Sequence, residues 1–364
     1  LFLRGPSRSA HDVLIIGGGI AGSALAAVLC QRGYRVTLVA ESHSERLASA
    51  IPAAVMAPPI GHATDPLSRI RLRGLHCTRG WLTRLARAGL DNGERARGVL
   101  VRPSGERAWR RHARLTRTPE TVDEAGMDPP PGAVLHAEGA WLAPRVLAHA
   151  LRTCCAGRLS VSTGHVRSLI RDRDGWHAGD DSGNRLATGA ELAVAAGVGT
   201  GRLLPSVYPL LQPARGQVTA FRATPATQAL RVPISGGGYL TPAADGIHWV
   251  GATLQRGDHD TEPRAQDDRL NLELAQALLG LSDLPAALDR FVGIRATTPN
   301  RIPLVGLCSE GAWVSAGHGA HGLLTGLLGA HLVADALERR RHPWLRLTAP
   351  LERRDRGRPA DRSK

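Results

Sequence analysis

An α/β fold of two lobes is what this sequence predicts: a parallel lobe of βαβ type with an antiparallel sheet inserted into it. Three observations carry the prediction. First, the apolar strand Asp12-Val13-Leu14-Ile15-Ile16 runs into Gly17-Gly18-Gly19-Ile20-Ala21-Gly22, then an Ala- and Leu-rich helix over residues 23–31, then a second strand over 34–39. Strand, tight turn, helix and strand at this spacing form a βαβ unit. Second, the apolar run Glu191-Leu192-Ala193-Val194-Ala195-Ala196-Gly197 reads as a parallel strand returning to that unit. A second glycine turn, Gly317-His318-Gly319-Ala320-His321-Gly322, follows an apolar strand over 312–316. Third, the segments 216–221, 238–241 and 247–254 alternate in the manner of antiparallel strands.

The first turn has G-x-G-x-x-G spacing in a strand-turn-helix context, which makes the parallel lobe Rossmann-like and a dinucleotide site. Glycine lets the backbone turn tightly and approach a pyrophosphate, while the free N–H groups and positive end of the helix stabilise the anion. The acidic residue that bonds a ribose hydroxyl normally ends the second strand. Here that place holds Ala40, with Glu41 one residue later, so Glu41 is the candidate, although a one-residue slip reverses side-chain direction.

After this unit, residues 48–59 are rich in Ala and Pro and are expected to run extended. A helix over 65–88 follows, with Leu67, Ile70, Leu72, Leu75, Trp81, Leu82 and Leu85 near helical spacing. Residues 98–131 read as irregular and basic, ending at Asp128-Pro129-Pro130-Pro131, a candidate boundary. Gly139-Ala140-Trp141-Leu142-Ala143-Pro144 leads to a helix over 145–152, and a strand pair is expected around 161–170 and 175–177. Helices over 267–279 and 284–289 complete the inserted lobe before 292–295 leads back. The division expected is 11–85, 139–205 and 291–345 for the dinucleotide lobe, 86–138 and 206–290 for the substrate lobe, and 346–364 as a basic flexible tail.

Composition narrows the class. A chain of 364 residues can bury a large core. The uncharged run over 13–30 is long enough to suggest a membrane span, but its glycine cluster favours strand-turn-helix, and the chain reads as soluble. Five cysteines without a C-x-x-C pair or a zinc spacing point to a reducing cytoplasm and no metal, with Cys30 a small apolar core residue. The net charge of +14 and pI near 11.0 favour polyanionic partners. Arg102, Arg107, Arg110, Arg111, Arg114 and Arg117 crowd one segment, and Arg339, Arg340, Arg341, Arg346, Arg353, Arg354, Arg356 and Arg358 another, which makes a nucleic-acid surface a candidate beside a merely solvated basic face.

Several segments together resemble the D-amino-acid-oxidase/glycine-oxidase family. These are the 17–22 turn, Gly139 to Leu142, Ala195-Ala196-Gly197, Gly293-Ile294-Arg295, the run from Thr298 to Gly306, and the 317–322 loop. The resemblance implies FAD as cofactor and O2 as electron acceptor. Ser49 to Ala54, Arg215-Gly216-Gln217-Val218, Gly238 to Pro242 and Gly251 to Asp258 further resemble the oxidoreductase half of bifunctional tRNA wobble-uridine modification enzymes. That likeness implies oxidation of 5-carboxymethylaminomethyl-(2-thio)uridine in tRNA to the 5-aminomethyl form. A methyltransferase domain, or a partner on a separate chain, is implied as well. Those enzymes usually lack the first loop His and carry Arg where this chain has His321, which points instead toward a small amine or amino-acid oxidase. A noncatalytic tRNA-binding flavoprotein is a third reading.

The resemblance assigns Arg295 to capture of the substrate carboxylate and gives the Tyr239 hydroxyl a share in it. It sets Gly17, Gly19, Ile20, Ala21, Gly22, Glu41, Ala53, Ala54 and Gly197 against the dinucleotide. Gly317, His318, Gly319, His321, Gly322 and Leu323 are assigned to the flavin ring, the two histidines with capping or packing roles.

Overall fold

The computed structural model describes residues 12–41, 47–59, 65–102 and 133–350. The chain begins with β1 (Asp12–Ile16), α1 (Ile20–Gln31), β2 (Arg35–Ala40), β3 (Ala54–Met56), α2 (Pro66–Arg87), β4 (Glu94–Val101), β5 (Val134–Leu142) and α3 (Pro144–Thr153). It continues through β6 (Leu159–Thr163), β7 (Ser168–Asp172), β8 (Gly175–Gly179), β9 (Arg185–Gly189), β10 (Glu191–Val194), β11 (Gln212–Arg222), β12 (Ile234–Ser235) and β13 (Tyr239–Leu240). It ends with β14 (Ile247–Gly251), β15 (Gln255–Arg256), α4 (Ala265–Leu279), β16 (Asp289–Thr297), β17 (Leu304–Leu307), β18 (Trp313–Ala316) and α5 (Gly322–Leu337).

The parallel lobe is a six-stranded sheet in the order β17-β18-β10-β1-β2-β6. β1 pairs in parallel with both β2 and β10, and only β17 runs antiparallel, to β18. Its inner strands are apolar on both faces because both faces are covered. Val13 and Ile15 pack with α1, α2, α3 and α5, whereas Leu14 and Ile16 pack beneath the three-stranded β7-β8-β9 sheet and Trp176. α5 lies against α1 and α2. With its preceding turn, Gly319–Leu337 is the one helical stretch among the described residues long and apolar enough to cross a membrane, and 56% of its most apolar window is buried in this fold. The 13–30 run itself is β1, the glycine turn and most of α1, as expected.

The inserted lobe is a nine-stranded sheet in the order β15-β11-β14-β13-β12-β4-β5-β3, with β16 also paired to β11. Phe221, Ile234, Leu240 and Val250 form its core with Ala275 and Leu278 of α4. The expected divisions at 138/139 and 291 fall inside β5 and β16, and β3 joins this sheet from within a segment assigned to the dinucleotide lobe.

Several local expectations are corrected. Residues 284–289 form no helix: Leu288 donates its N–H to Ala220 O at 2.8 Å and β16 starts at Asp289. A six-residue run interrupted by Pro285 cannot repay helix nucleation. The 161–170 strand is two strands: β6 joins β2 in parallel and β7 joins β8 antiparallel. Residues 98–101 belong to β4 rather than an irregular stretch, and Ala48–Ala50 forms a 3₁₀ turn within the segment expected to be extended. The basic residues from Arg107 to Arg117 and the tail after 351 lie outside the described residues.

Candidate active site

Gly17 sits at φ +112°, in a region that favours glycine, and a Cβ there would stand 2.5 Å from Ala195 O at the end of β10. Gly22 brings the first turn of α1 against that bend, since a Cβ on it would lie 1.8 Å from Gly17 O. Gly19 has no side chain to cap α1 and no acid occupies its first turn, so apart from the Ile20 N–H its positive end stays available to an anion. Ser49 Oγ accepts the Ile20 N–H at 3.1 Å, and Arg152 Nη1 donates to Gly18 O at 3.0 Å and to Ser23 Oγ at 2.9 Å. These bonds hold the turn's shape from behind.

From this turn a cavity of about 920 Å³ runs to the inserted lobe, a size suited to a large small-molecule ligand. It is lined by Gly17, Gly19, Ile20, Ala21, Glu41, Ala54, Gly197, Tyr239 and Arg295, and by Gly317, His318, Gly319, His321, Gly322 and Leu323. Two expected cofactor residues are not on its wall. Ala53 is fully buried and its carbonyl accepts the Tyr239 hydroxyl at 2.6 Å, while buried Gly22 packs behind the turn. Glu41 lines the cavity and pairs with His165 Nδ1 at 2.9 Å.

Arg295 projects from β16 into the cavity beside Tyr239. Among the described residues it makes a long 3.5 Å approach to Thr253 O and takes part in no ion pair. Burial lowers the pKa of its guanidinium, opposed by nearby Tyr239, and burial raises the Tyr239 phenol. Burying a cation with so little compensation is costly.

The second loop is a 3₁₀ turn, Gly319–His321, that passes into α5. Thr325 Oγ1 donates to His321 O at 2.9 Å and therefore accepts from His318 Nδ1 at 2.8 Å, which leaves His318 Nε2 to accept the Ser315 hydroxyl at 3.1 Å. That tautomer is neutral, and burial pushes its pKa down to about 4. His321 is pushed down to about 3 by burial and then by the positive charges of Arg71, Arg295 and Arg301. Burial thus favours the neutral form of both histidines in a cationic pocket, and His318 is held between Ser315 and Thr325.

Residues 12–336 match the family described as FAD dependent oxidoreductase (DAO). The chain belongs to this family. It is an FAD-dependent oxidoreductase with a glycine-oxidase-like fold. A similar relative, the tRNA 5-methylaminomethyl-2-thiouridine biosynthesis bifunctional protein MnmC of Pseudomonas aeruginosa, is 31% identical over 90% of this chain and 57% of its own length. The MnmC protein of Paracidovorax citrulli is 33% identical over 91% of this chain and 57% of its own. The chain therefore spans a little over half the length of these relatives. Among solved structures, glycine oxidase from Geobacillus kaustophilus superposes with TM-score 0.77 at 22% identity, covering 93% of this chain and 98% of that one. Iminodiacetate oxidase from Chelativorans sp. BNC1 gives 0.76 at 22% identity with the same coverage. These two likenesses concern the fold.

The residues present fit FAD. An uncapped helix end, a turn in which side chains would collide, and a cavity long enough to reach Arg295 and the 317–323 loop meet in one place. Sequence reasoning missed Ser49 and Arg152 as supports of the turn, and Arg71 as a cavity residue. Arg71 carried a legible signal: it stands on the inward stripe of α2, between buried Ile70 and Leu75.

Proposed function

We propose that this chain removes the carboxymethyl group from 5-carboxymethylaminomethyl-(2-thio)uridine at the tRNA wobble position, in the cytoplasm. The observation that carries this reading is the 31% identity, over 90% of the chain, with proteins named for tRNA 5-methylaminomethyl-2-thiouridine biosynthesis. The chemistry of the cavity supports it. The substrate side chain is an N-alkylglycine, and Arg295 offers a planar fork for its carboxylate. The basic composition suits a polyanionic substrate.

Bound FAD would supply the acceptor, at its N5, for a hydride from the methylene between nitrogen and carboxylate. Arg295 would hold the carboxylate so that this methylene faces the cofactor. Tyr239, its proton committed to Ala53 O, would present an oxygen lone pair and a ring edge that set the substrate's height beside Arg295. The secondary amine enters uncharged and loses its proton to solvent as the C=N bond forms. Water then adds to that imine, releasing glyoxylate and the aminomethyl nucleoside. Neutral His318 and His321 take no proton in this scheme and leave the pocket's positive charge to the substrate anion. The first-turn amides of α1 would hold the pyrophosphate, with Glu41 at the ribose. O2 would reoxidise the flavin, and a methyltransferase, on this protein or another, would use the product.

The test is anaerobic mixing of the FAD-loaded protein with carboxymethylaminomethyl-bearing tRNA while flavin absorbance is followed, then with glycine and with sarcosine. Bleaching by the tRNA, together with tRNA binding that weakens steeply with salt, is the expected result. Bleaching by glycine or sarcosine alone would replace this reading with a small-molecule amine oxidase, which the histidines of the 317–322 loop favour. Bound flavin that none of the three reduces would leave a noncatalytic flavoprotein.

A further inference from the structure

Of the arginines on the cavity wall that the proposed reaction does not use, Arg71, Arg167 and Arg202, Arg167 is ion-paired to Asp181 and Arg71 is the one whose charge reaches His321 in the 317–322 loop. Arg71 lies on α2 and reaches the cavity wall, where its charge acts on His321. Its Nε is buried without a hydrogen-bond partner, and no ion pair among the described residues includes it. The carboxylate nearest in electrostatic influence, Asp65, is engaged as the cap of α2, accepting Ser68 N at 2.9 Å and Ser68 Oγ at 2.8 Å. Arg301, on the other side, repels it. Glu41 is the cavity's lining carboxylate and is bonded to His165, and neutral His321 offers no negative charge. Burial and Arg301 together lower the Arg71 guanidinium to about 10. Two guanidiniums whose charges both reach His321, Arg71 and Arg295, therefore face one space, and among the described residues no ion pair neutralises either. Removing such a group from water without a partner is costly unless a ligand supplies the anion.

We propose that Arg71 forms a second anion subsite in this cavity, so that the preferred ligand carries two anionic groups, one at Arg295 and a second carboxylate or phosphate at Arg71. The inference rests on the reading of Arg295 as the partner of the first carboxylate. Two chemical sources fit the second group: the far carboxylate of a small dicarboxylic amine, or a phosphate of the nucleic acid that carries the wobble nucleotide.

The test titrates the FAD-loaded protein with malonate, a dianion, and with acetate, a monoanion, reading the shift in flavin absorbance. Malonate is expected to bind at least about tenfold more tightly than acetate, the scale of one charge-assisted hydrogen bond. Arg71→Gln should bring the two affinities close together while leaving acetate unchanged. If that variant does not fold, Arg71→Met, which keeps the apolar stem without the charge, is read in the same way. Equal affinities in the unmodified protein, or a preference that survives both substitutions, overturns the subsite. So does lost FAD affinity with an unchanged preference, which would make Arg71 a cofactor residue. An RNA hairpin carrying the wobble loop that displaces malonate from the unmodified protein but not from Arg71→Gln assigns the second anion to a phosphate; failure to displace assigns it to a small dicarboxylate. None of these readouts needs turnover. Malonate binding through Arg71, in a protein that oxidises neither the tRNA nor sarcosine, would end the proposed reaction and keep the subsite.

Discussion

Arg215 and Arg295 stand on paired strands, one register step apart, and the protein treats them in opposite ways. In the β11–β16 ladder Arg295 faces Ala214, and Arg215 faces Ile294, so strand alternation sends the two side chains to opposite sides of the sheet. Arg215 is completely buried and saturated. It is ion-paired to Asp267 and donates to Asp260 O at 3.0 Å, Gln255 Oε1 at 3.2 Å, Gln217 Oε1 at 3.1 Å and Glu262 O at 2.6 Å. Around it, Asp268 accepts from Gln217 and Thr219, each at 2.8 Å. Arg295, on the cavity side, has among the described residues only its long contact to Thr253 O. Burial of a guanidinium is therefore not in itself a sign of function; burial without partners is. The saturated arginine locks α4 to the sheet, and the unsaturated one is the group to which the proposed reaction assigns the substrate carboxylate.

The largest test of that contrast is Asp267→Ala, which strands Arg215 without its counter-ion. Unfolding by urea should show a loss of about 3–5 kcal/mol. Unchanged stability would mean that the network is not what holds this layer together.

Next is Arg295→Ala. It should lower the rate of flavin reduction at least about a hundredfold, since two charge-assisted hydrogen bonds to the substrate disappear, while bound FAD and the unfolding midpoint stay near those of the unmodified protein. A rate close to normal would remove Arg295 from the site.

A smaller effect is expected one residue beyond Arg215. A Cβ at Gly216 would stand 2.3 Å from Arg295 Nη2 and 2.8 Å from Thr253 O, so glycine there is what lets the guanidinium lie across β11. Gly216→Ala should raise KM about tenfold, the scale of one misaligned hydrogen bond, and change kcat much less. A fall in kcat with KM unaltered would argue against positioning.

The least effect comes from protonation. His318 and His321 fall from an ordinary 6.5 to about 4 and about 3 in the folded chain, so the unfolded chain binds their protons more readily. Their contribution to stability is complete above about pH 6.5 and is lost as the pH falls toward the folded values. Urea midpoints measured from pH 7 to 4.5 should decline less steeply in a His318→Asn, His321→Asn double variant. Parallel declines would show that these rings are not held neutral by burial.

Much of this was legible in the residue order because it is local. Asp12 to Val39 encodes a strand, a turn and a helix through spacing alone, and the chain's own conformational preferences build them close to the expected bounds. The likeness that pointed to FAD lay in short contiguous stretches, and the cofactor and the fold followed from it. Where competing pairings decide, local pattern was insufficient. The 161–170 segment could be read as one strand until β2 and β8 each claimed half of it, and the 284–289 run could be read as a helix until the sheet edge captured Leu288. Ala53 and Ala54 are alike in sequence, but of the two Ala54, where β3 begins, reaches the cavity, while Ala53 just before it is fully buried.

By itself, then, the sequence determined the dinucleotide turn, the alternation of parallel and antiparallel segments, and the presence of Arg295 and Tyr239 in suggestive runs. Only the tertiary structure decided which cations are satisfied. Whether Arg215, Arg295 or Arg71 finds a partner depends on groups tens to hundreds of residues away, whose approach is set by how the two lobes pack. No periodicity along the chain records that distance.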